Sequence, residues 1–156
     1  MIRILFVCHG NICRSPMAEF VMKEKVKAAG LADRFEIASA ATSREELGNP
    51  VYSPARKELA KHHISCKGKT ARQMTWRDYE AYDYLIGMDH WNLKNMLNIC
   101  GGDPAGKISL LLDHTAHPRD VADPWYTGDY EITWDDIDAG CDGLLMMICN
   151  ESEDLQ

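Results

Sequence analysis

The residues with the clearest chemical potential lie near the start of the chain, in the segment CHGNICRSP. Cys8 supplies a thiol and Arg14 supplies a guanidinium, with Gly10 and Asn11 between them. Glycine and asparagine are the residue types that tolerate a left-handed backbone, so a loop that turns here can point its amide N–H groups inward. Inward N–H groups form a nest for an anion. The segment therefore predicts a loop that binds a small anion.

The helix that we expect after this loop adds positive potential. Ser15 and Pro16 form a start signal, with serine as the N-cap and proline at the first helical position. The helix dipole and the planar fork of Arg14 both favour a tetrahedral oxyanion such as phosphate. Helix N-termini and neighbouring cations also favour the thiolate form of a cysteine. Cys8 is therefore expected to attack the phosphorus of a phosphate that Arg14 holds, although Cys-x5-Arg alone is a loose pattern that an ordinary strand-turn-helix connection can contain.

The elements that must position this loop alternate between strands and helices. The pattern predicts strands over 2–7, 35–41, 84–88 and 108–112, helices over 15–30, 53–62, 89–99 and 132–149, a short helix after Thr75 and a long loop over 113–130. In the first helix, Glu19, Lys23 and Lys27 are expected to form a solvated stripe. This alternation predicts an α/β fold with a four-stranded parallel sheet flanked by helices on both faces, as in Rossmann and flavodoxin-like proteins. Ligands of such sheets bind at the carboxyl ends of the strands, so the first loop and the 113–130 loop should share one rim.

Length and composition fit one domain. The 156 residues are 46% hydrophobic and 26% charged, with a formal net charge of −7, which is ordinary for a globular protein. We assign residues 1–150 to the domain and residues 151–156 to an acidic tail. The negative charge argues against a nucleic-acid partner. No apolar stretch has the length of a membrane span or the pattern of a signal peptide, so we expect no membrane partner.

The chain contains six cysteines but no CxxC pair. A domain of this size does not need a disulfide scaffold, so we expect a reduced, cytoplasmic protein. Cysteines outside the first loop are expected to be inert small hydrophobic residues. The histidine and cysteine spacings over 62–66 and 114–117 are weak metal signals that fit surface histidines better. We expect neither a metal nor a cofactor.

Several segments together resemble the low-molecular-weight protein tyrosine phosphatases. CHGNICRSP resembles the Cys-x-Gly-Asn-x-Cys-Arg-Ser-Pro signature of that family. The segments that follow in the family's order are SAATS from Ser39, GNP from Gly48, ARQ from Ala71, YLIGMD from Tyr84 and DPW from Asp123. The resemblance covers most of the chain, and its first and last motifs together are highly specific.

The resemblance implies an enzyme that hydrolyses phosphotyrosine in proteins, and small aryl phosphates, through a phosphocysteine intermediate. It implies Cys8 as the nucleophile, Arg14 as the phosphate clamp, and Asp123 as the general acid and then the base. The phosphate-binding loop would comprise His9, Gly10, Asn11, Ile12, Cys13, Arg14 and Ser15. The expected partner is a phosphotyrosine-bearing protein, and the expected assembly is a monomer or a weak homo-oligomer.

Within that loop, the resemblance also implies supporting roles. Ser15 would donate a hydrogen bond to the thiolate, and Asn11 would hold the loop with help from Ser39. Cys8 and Cys13 have the spacing at which relatives form a protective, reversible disulfide, so we expect a redox-sensitive cysteine.

The residues that follow Asp123 also support its assignment as the acid. Pro124 restricts the backbone of both residues, so the carboxylate extends from a stiff loop, although Asp-Pro alone is ordinary turn chemistry. A leaving oxygen needs a proton, and a positioned acid typically contributes ~10²–10⁴-fold in rate. Trp125 and Tyr126 follow, and we expect at least one of them to form a wall for an aromatic substrate ring. Relatives commonly carry a tyrosine where Trp125 stands.

Three positions depart from the family or discriminate within it. Ile12 fits a tyrosine phosphatase better than the arginine-phosphatase relatives, which place threonine there. Glu45 lies where many relatives carry an aromatic residue, so Arg44 and Glu45 would make a charged rim. Lys69 stands where the family usually has a histidine, so Asn11 must be held in another way.

Arsenate reductase on the same fold is the main alternative function. That enzyme passes oxidation from the first cysteine to two others that lie close together, whereas Cys66 and Cys100 are widely separated in sequence. It also does not need the acid of the DPW segment. A sugar-transport phosphocarrier would not need Arg14 with Ser15, and a binding module without turnover would not need both Cys8 and Asp123.

Overall fold

The computed structural model describes residues 1–152 and residue 155. Four strands form one sheet: β1 (Ile2–Cys8), β2 (Phe35–Ala41), β3 (Tyr84–Gly87) and β4 (Ile108–Leu110). Their order is β2-β1-β3-β4, and every pairing is parallel. The predicted four-stranded parallel sheet is therefore confirmed.

Helices cover both faces of this sheet. The α-helices are α1 (Arg14–Ala28), α2 (Ser53–Lys61), α3 (Arg77–Ala81), α4 (His90–Cys100), α5 (Pro124–Thr127) and α6 (Tyr130–Glu151). Two short 3₁₀ segments, Ala32–Arg34 and Leu111–His114, precede β2 and follow β4. One apolar cluster joins the sheet to α1, α2 and α6, and a second cluster joins the opposite face to α3 and α4.

The central strand β1 explains the position of the thiol. Its successive side chains point to opposite faces of the sheet. Ile4, Phe6 and Cys8 belong to the cluster beneath α1, whereas Leu5 and Val7 belong to the cluster beneath α4. Because β1 is buried on both faces, it reads as a continuous apolar run. Cys8 therefore ends the strand on the side where α1 begins.

The sheet also has a crevice at its carboxyl edge. The chain passes from β1 to β2 on one side, whereas β3 and β4 lie on the other, so the connections diverge between β1 and β3. A crevice at such a switch point is where open α/β sheets bind ligands. A Cβ atom on Gly87 would lie 3.0 Å from Met96 Sδ and 3.2 Å from Asn92 Cβ. This close packing holds α4 against β3, with the start of α4 at the crevice.

The predicted N-cap of α1 was wrong. Cys13, not Ser15, is the N-cap of α1, and in α2, which also begins with a Ser-Pro pair, the N-cap is Tyr52. A proline is tolerated throughout the first turn of a helix, so a Ser-Pro pair marks that turn without fixing its first residue. In α1 the Ser15 hydroxyl faces Cys8 instead of capping the helix.

Several predicted boundaries shift by a few residues. The 113–130 loop contains the one-turn helix α5, and α6 begins at Tyr130 because Asp129 caps it by accepting a hydrogen bond from Ile132 N. In the predicted tail 151–156, Glu151 is the last residue of α6 and Leu155 packs against the core. Glu153, Asp154 and Gln156 lie outside the described residues.

Candidate active site

A cavity of about 600 Å³ opens at the crevice between β1 and β3. Four segments line it: the loop after β1, the loop after β2, the start of α4 and the segment around α5. The lining residues are Cys8, His9, Gly10, Ile12, Cys13, Arg14, Glu45, Glu46, Asp89, Trp91, Asn92, Asn95, Asp123, Trp125 and Tyr126. The structure therefore brings the predicted nucleophile, clamp and acid to one cavity.

The thiol of Cys8 lies at the buried end of this cavity. Ser15 Oγ lies 3.0 Å from Cys8 Sγ, and the backbone N–H of Asn11 donates a hydrogen bond to the same sulfur at 3.3 Å. A sulfur that accepts from a backbone N–H and lies within hydrogen-bond distance of a hydroxyl is suited to carry negative charge. Ser15 and Asn11 themselves do not line the cavity, so they support the loop from beneath rather than contact a bound anion with their side chains.

Asn11 connects the loop to the rest of the domain. It has a left-handed backbone (φ 59°), as predicted for this position, whereas Gly10 does not. Its Nδ2 donates to Ser15 Oγ at 2.7 Å and to Ser39 Oγ at 2.9 Å, and its Oδ1 accepts from Arg72 N at 3.3 Å. Both the amide nitrogen and the amide oxygen of this buried side chain are therefore hydrogen-bonded. Asn11 thus holds the conformation of the loop and also positions the Ser15 hydroxyl beside Cys8.

A buried charged pair lies behind this network. Ser39 Oγ donates to Glu19 Oε1 at 2.6 Å, and Lys69 Nζ lies 2.8 Å from the Ser39 carbonyl oxygen and 3.5 Å from Glu19 Oε1. Burial lowers the pKa of the Lys69 ammonium, and the negative charge of Glu19 opposes that shift. The prediction of a solvated Glu19 was wrong, because its carboxylate is buried, although its i,i+4 pair with Lys23 is present at 2.6 Å. Lys69 thus supports Asn11 through Ser39.

Arg14 extends from the first turn of α1 into the cavity and is only 4% exposed. Its Nη1 donates to the Val121 carbonyl at 3.1 Å, and its Nη2 donates to Asp89 Oδ2 at 2.8 Å and to Asp123 Oδ2 at 3.3 Å. Burial acts to lower the pKa of this guanidinium, but the negative charges of Cys8, Asp123 and Asp89 outweigh it and raise that pKa. Arg14 is therefore a fixed positive charge between the thiol and two carboxylates.

Asp89 is a site residue that sequence reasoning missed. Besides accepting from Arg14, its side chain accepts from Asn92 N at 2.8 Å and so caps α4 in a capping box. The segment YLIGMD contained the signal, since an acidic residue directly after a strand lies at the same rim as the first loop.

Asp123 is held by its own loop and by α6. Its Oδ1 accepts from Trp125 N at 3.0 Å, which caps α5. The preceding residue, Ala122, donates its N–H to Asp136 Oδ2 at 3.0 Å and accepts from Thr133 Oγ1 at 2.8 Å. These two bonds clamp both backbone polar groups of Ala122 to α6, so the carboxylate beside it extends from a rigid segment, as expected from Pro124.

Aromatic side chains surround the mouth of the cavity. Trp125 and Tyr126 both line it and are largely exposed, and the Trp125 ring lies 5.7 Å from the Tyr52 ring. Both residues are placed where a substrate wall was predicted. Trp91, in the first turn of α4, also lines the cavity and is exposed. Its position on an amphipathic helix gave no sign that it lines the cavity.

The second cysteine of the loop is a protonated thiol at neutral pH. Cys13 lines the cavity, and its Sγ lies 3.9 Å from the Tyr130 hydroxyl. Burial raises the pKa of the Cys13 thiol to about 12, and the contact with Tyr130 opposes that shift.

Cys66 and Cys100 do not form a redox relay with Cys8. Cys66 packs in the cluster beneath α1, and Cys100 packs in the cluster on the opposite face of the sheet. Neither lines the cavity, and burial raises the pKa of both thiols. This arrangement does not favour the arsenate reductase alternative, which requires two cysteines that are close together.

The histidines with weak metal spacing have other contacts. His62 stacks on Trp134 with ring centroids 3.6 Å apart and lies 3.2 Å from Glu58, and His114 Nε2 lies 2.9 Å from Ser109 Oγ. Within residues 1–152 and 155, no group of three or more acidic, histidine or cysteine side chains is placed to hold a metal ion. Over the same residues, no helix combines the length and apolarity that a membrane crossing needs.

Comparison with known proteins bears on the family of this chain. Residues 3–154 match the family model for low molecular weight phosphotyrosine protein phosphatase. The chain belongs to that family. It is 37% identical to the low molecular weight protein-tyrosine-phosphatase YfkJ of Bacillus subtilis over 98% of this chain and 99% of that one, and 34% identical to PtpA of Staphylococcus epidermidis over 97% of each. The chain is thus an enzyme of the phosphatase class.

Solved structures of family members agree with the fold. The crystal structure of YfkJ superposes with a TM-score of 0.95 and covers 98% of both chains. The low molecular weight phosphatase SP-PTP of Streptococcus pyogenes is 39% identical, with a TM-score of 0.86 over 99% of this chain and 96% of that one. The similarity extends through the whole domain, from the loop after β1 to α6.

Proposed function

We propose that this protein hydrolyses phosphotyrosine in proteins, and small aryl phosphates, through a phosphocysteine formed on Cys8. One arrangement carries the proposal: Cys8 Sγ, which accepts from Asn11 N and lies 3.0 Å from the Ser15 hydroxyl, is at the buried end of a cavity whose walls hold Arg14 and Asp123. A nucleophile, an anion clamp and an acid in one cavity are the groups that transfer of a phosphoryl group to a thiolate requires.

In the first step, the Cys8 thiolate attacks phosphorus opposite the aryl oxygen. The sulfur–phosphorus bond forms as the bond from phosphorus to the aryl oxygen breaks, and Asp123 gives its proton to the departing oxygen. Arg14 and the N–H groups of the loop hold the phosphoryl oxygens and stabilise their charge in the transition state. The product of this step is phosphocysteine with a free phenol.

In the second step, water replaces the sulfur. Asp123, now a carboxylate, takes a proton from water as its oxygen attacks phosphorus. The sulfur–phosphorus bond breaks, inorganic phosphate leaves, and Cys8 returns to the thiolate that Ser15 and the Asn11 N–H stabilise. The same carboxyl group therefore acts as acid and then as base.

The aromatic mouth supports an aromatic substrate. Trp125 and Tyr126 lie beside the acid on α5, so a phenyl ring that points its phosphate at Cys8 passes between them and the opposite wall. Ring packing of this kind favours aryl over alkyl phosphates.

The cellular setting belongs to the same proposal. The nucleophile must stay reduced, all six cysteines are free, and reduced thiols are the rule in the cytoplasm. We therefore place the protein in the cytoplasm, with phosphoproteins as substrates, and as a monomer or a weak homo-oligomer.

Hydrolysis of para-nitrophenyl phosphate in the presence of EDTA tests the proposal. Wild type should turn over, Cys8→Ser should be inactive, and Asp123→Ala should be slowed less with para-nitrophenyl phosphate than with phenyl phosphate, whose leaving group is poorer. An inactive wild type whose reduced form consumes arsenate would overturn the function.

A further inference from the structure

The mouth of the cavity carries negative charge that the catalytic groups do not use. Asp89 and Asp123 are paired with Arg14 at the buried end. Glu45 and Glu46, on the loop after β2, line the mouth, and within the described part of the chain no lysine or arginine lies within ion-pair distance of either. His9 Nε2 lies 3.0 Å from Glu45, and Arg44 is exposed but does not line the cavity.

The other sides of the mouth present aromatic rings. Trp91 extends from α4 and is 71% exposed, and Trp125 extends from α5 and is 64% exposed. Exposed indole faces attract cations. The Trp91 ring already has such a neighbour, since Lys94 Nζ lies 5.8 Å from its centroid. Carboxylates and indole rings are different groups, but both favour a cation.

We infer that this mouth selects phosphotyrosine flanked by lysine or arginine residues, an inference that rests on the proposed phosphatase function. The phosphate and its ring enter the cavity towards Cys8, and the neighbouring residues of the substrate lie across the mouth. Basic neighbours meet Glu45, Glu46 and the Trp91 ring, whereas acidic neighbours meet like charge. Trp91, Glu45 and Glu46 are thus specificity-determining residues.

The test compares kcat/KM for matched phosphotyrosine peptides that carry Lys, Ser or Glu at the two positions on each side. At low ionic strength, the Lys peptide should exceed the Glu peptide by about tenfold, since exposed charge pairs contribute modestly and add over several contacts. The ratio should fall to about twofold near 0.5 M salt, because these charges are exposed.

Variants then locate the source of the preference. Glu45→Gln with Glu46→Gln should remove most of the Lys-to-Glu ratio, and Trp91→Leu should reduce it about two- to fivefold. The ratio is internal to each variant, so any change that affects all substrates equally cancels. Glu24→Gln with Glu80→Gln removes the same charge from exposed positions outside the cavity and should leave the ratio unchanged.

The outcomes separate this inference from the proposed function. If the wild type hydrolyses neither the peptides nor para-nitrophenyl phosphate, the phosphatase function itself fails. If it hydrolyses all of them and the Glu peptide equals or exceeds the Lys peptide, the inference alone is overturned. The inference would also be overturned if the variants of Glu45, Glu46 and Trp91 changed the Lys-to-Glu ratio no more than the control variant does.

Discussion

Arg14 Nη2 donates to Asp89 Oδ2 at 2.8 Å, which joins the guanidinium at the start of α1 to the N-cap of α4. Because both side chains are largely buried, Asp89 fixes the plane of the guanidinium that should hold the phosphoryl oxygens. The contact links the two sides of the crevice between β1 and β3. The proposed phosphate clamp, Arg14, is thus held by a residue that does not itself react in the proposed mechanism.

Asp89→Asn should separate this positioning from helix capping. Asparagine is a good N-cap, so α4 should remain capped, but the charge opposite Arg14 is lost. We expect kcat/KM for para-nitrophenyl phosphate to fall about 10–100-fold, as small misplacements of a clamp do, with little change in Tm. Asp129→Asn is the matched control, since Asp129 caps α6 without contacting Arg14. Equal activities of the two variants would contradict the role of Asp89.

Lys69→Gln should weaken the support beneath the nucleophile loop. The change removes a positive charge from beside the buried Glu19 and one donor to the Ser39 carbonyl. We expect the free energy of unfolding to drop by about 2 kcal/mol, and kcat to fall more than KM changes, because the loop that holds Cys8 loosens. Lys69→Arg should restore part of kcat, and Lys67→Gln, at an exposed neighbour, should change neither quantity. If Lys69→Gln lost stability but kept its kcat, the pair of Lys69 and Glu19 would have only a structural role.

Asp136→Ala should loosen the segment that carries the acid. It leaves Ala122 N without its acceptor and removes the partner of Arg119. The effect should depend on the leaving group: hydrolysis of phenyl phosphate should slow about tenfold, and that of para-nitrophenyl phosphate only about twofold. Asp138→Ala, two positions along α6 and paired with Lys25, is the control. Equal slowing of both substrates by Asp136→Ala would count against a role in positioning Asp123.

Oxidation by peroxide should inactivate the enzyme reversibly through Cys8 and Cys13. Peroxide converts the Cys8 thiolate to a sulfenic acid, and Cys13 then displaces water from it to form the disulfide. Because the pKa of Cys13 is raised to about 12, the thiolate fraction, and with it the closure rate, should rise about tenfold per pH unit between pH 7 and 9.

The control for this oxidation is Cys13→Ser. After prolonged exposure to peroxide, dithiothreitol should restore the activity of wild type but not that of Cys13→Ser. The measurement is the activity that dithiothreitol restores after timed exposure at each pH. Full recovery of Cys13→Ser, or none of wild type, would exclude this pairing.

The loop after β1 was predictable from sequence because its signals lie in neighbouring residues. Contacts between residues far apart in the chain were not predictable. The apolar run of β1, the Gly-Asn turn and the Ser-Pro pair are adjacent in the chain, so strand, loop and helix follow from neighbouring residues. Asp89 is 75 positions from Arg14, and no local rule pairs them. The i,i+4 pattern of Glu19 with Lys23 is correct, but it does not reveal that Ser39 and Lys69 cover the carboxylate. Trp91 occupies an ordinary surface position of a helix, and only the fold turns it towards the cavity.

The most direct test of the proposed mechanism is to trap the phosphocysteine. Para-nitrophenyl phosphate would be mixed with wild type, Cys8→Ser and Asp123→Ala, quenched in acid within the first turnover, and the digested protein analysed by mass spectrometry. The phosphocysteine mechanism predicts one phosphoryl group on the peptide that contains Cys8 in wild type, more of it in Asp123→Ala because water attack is slowed, and none in Cys8→Ser. Turnover by wild type with no phosphoryl group at Cys8, or with one on another residue, would contradict it.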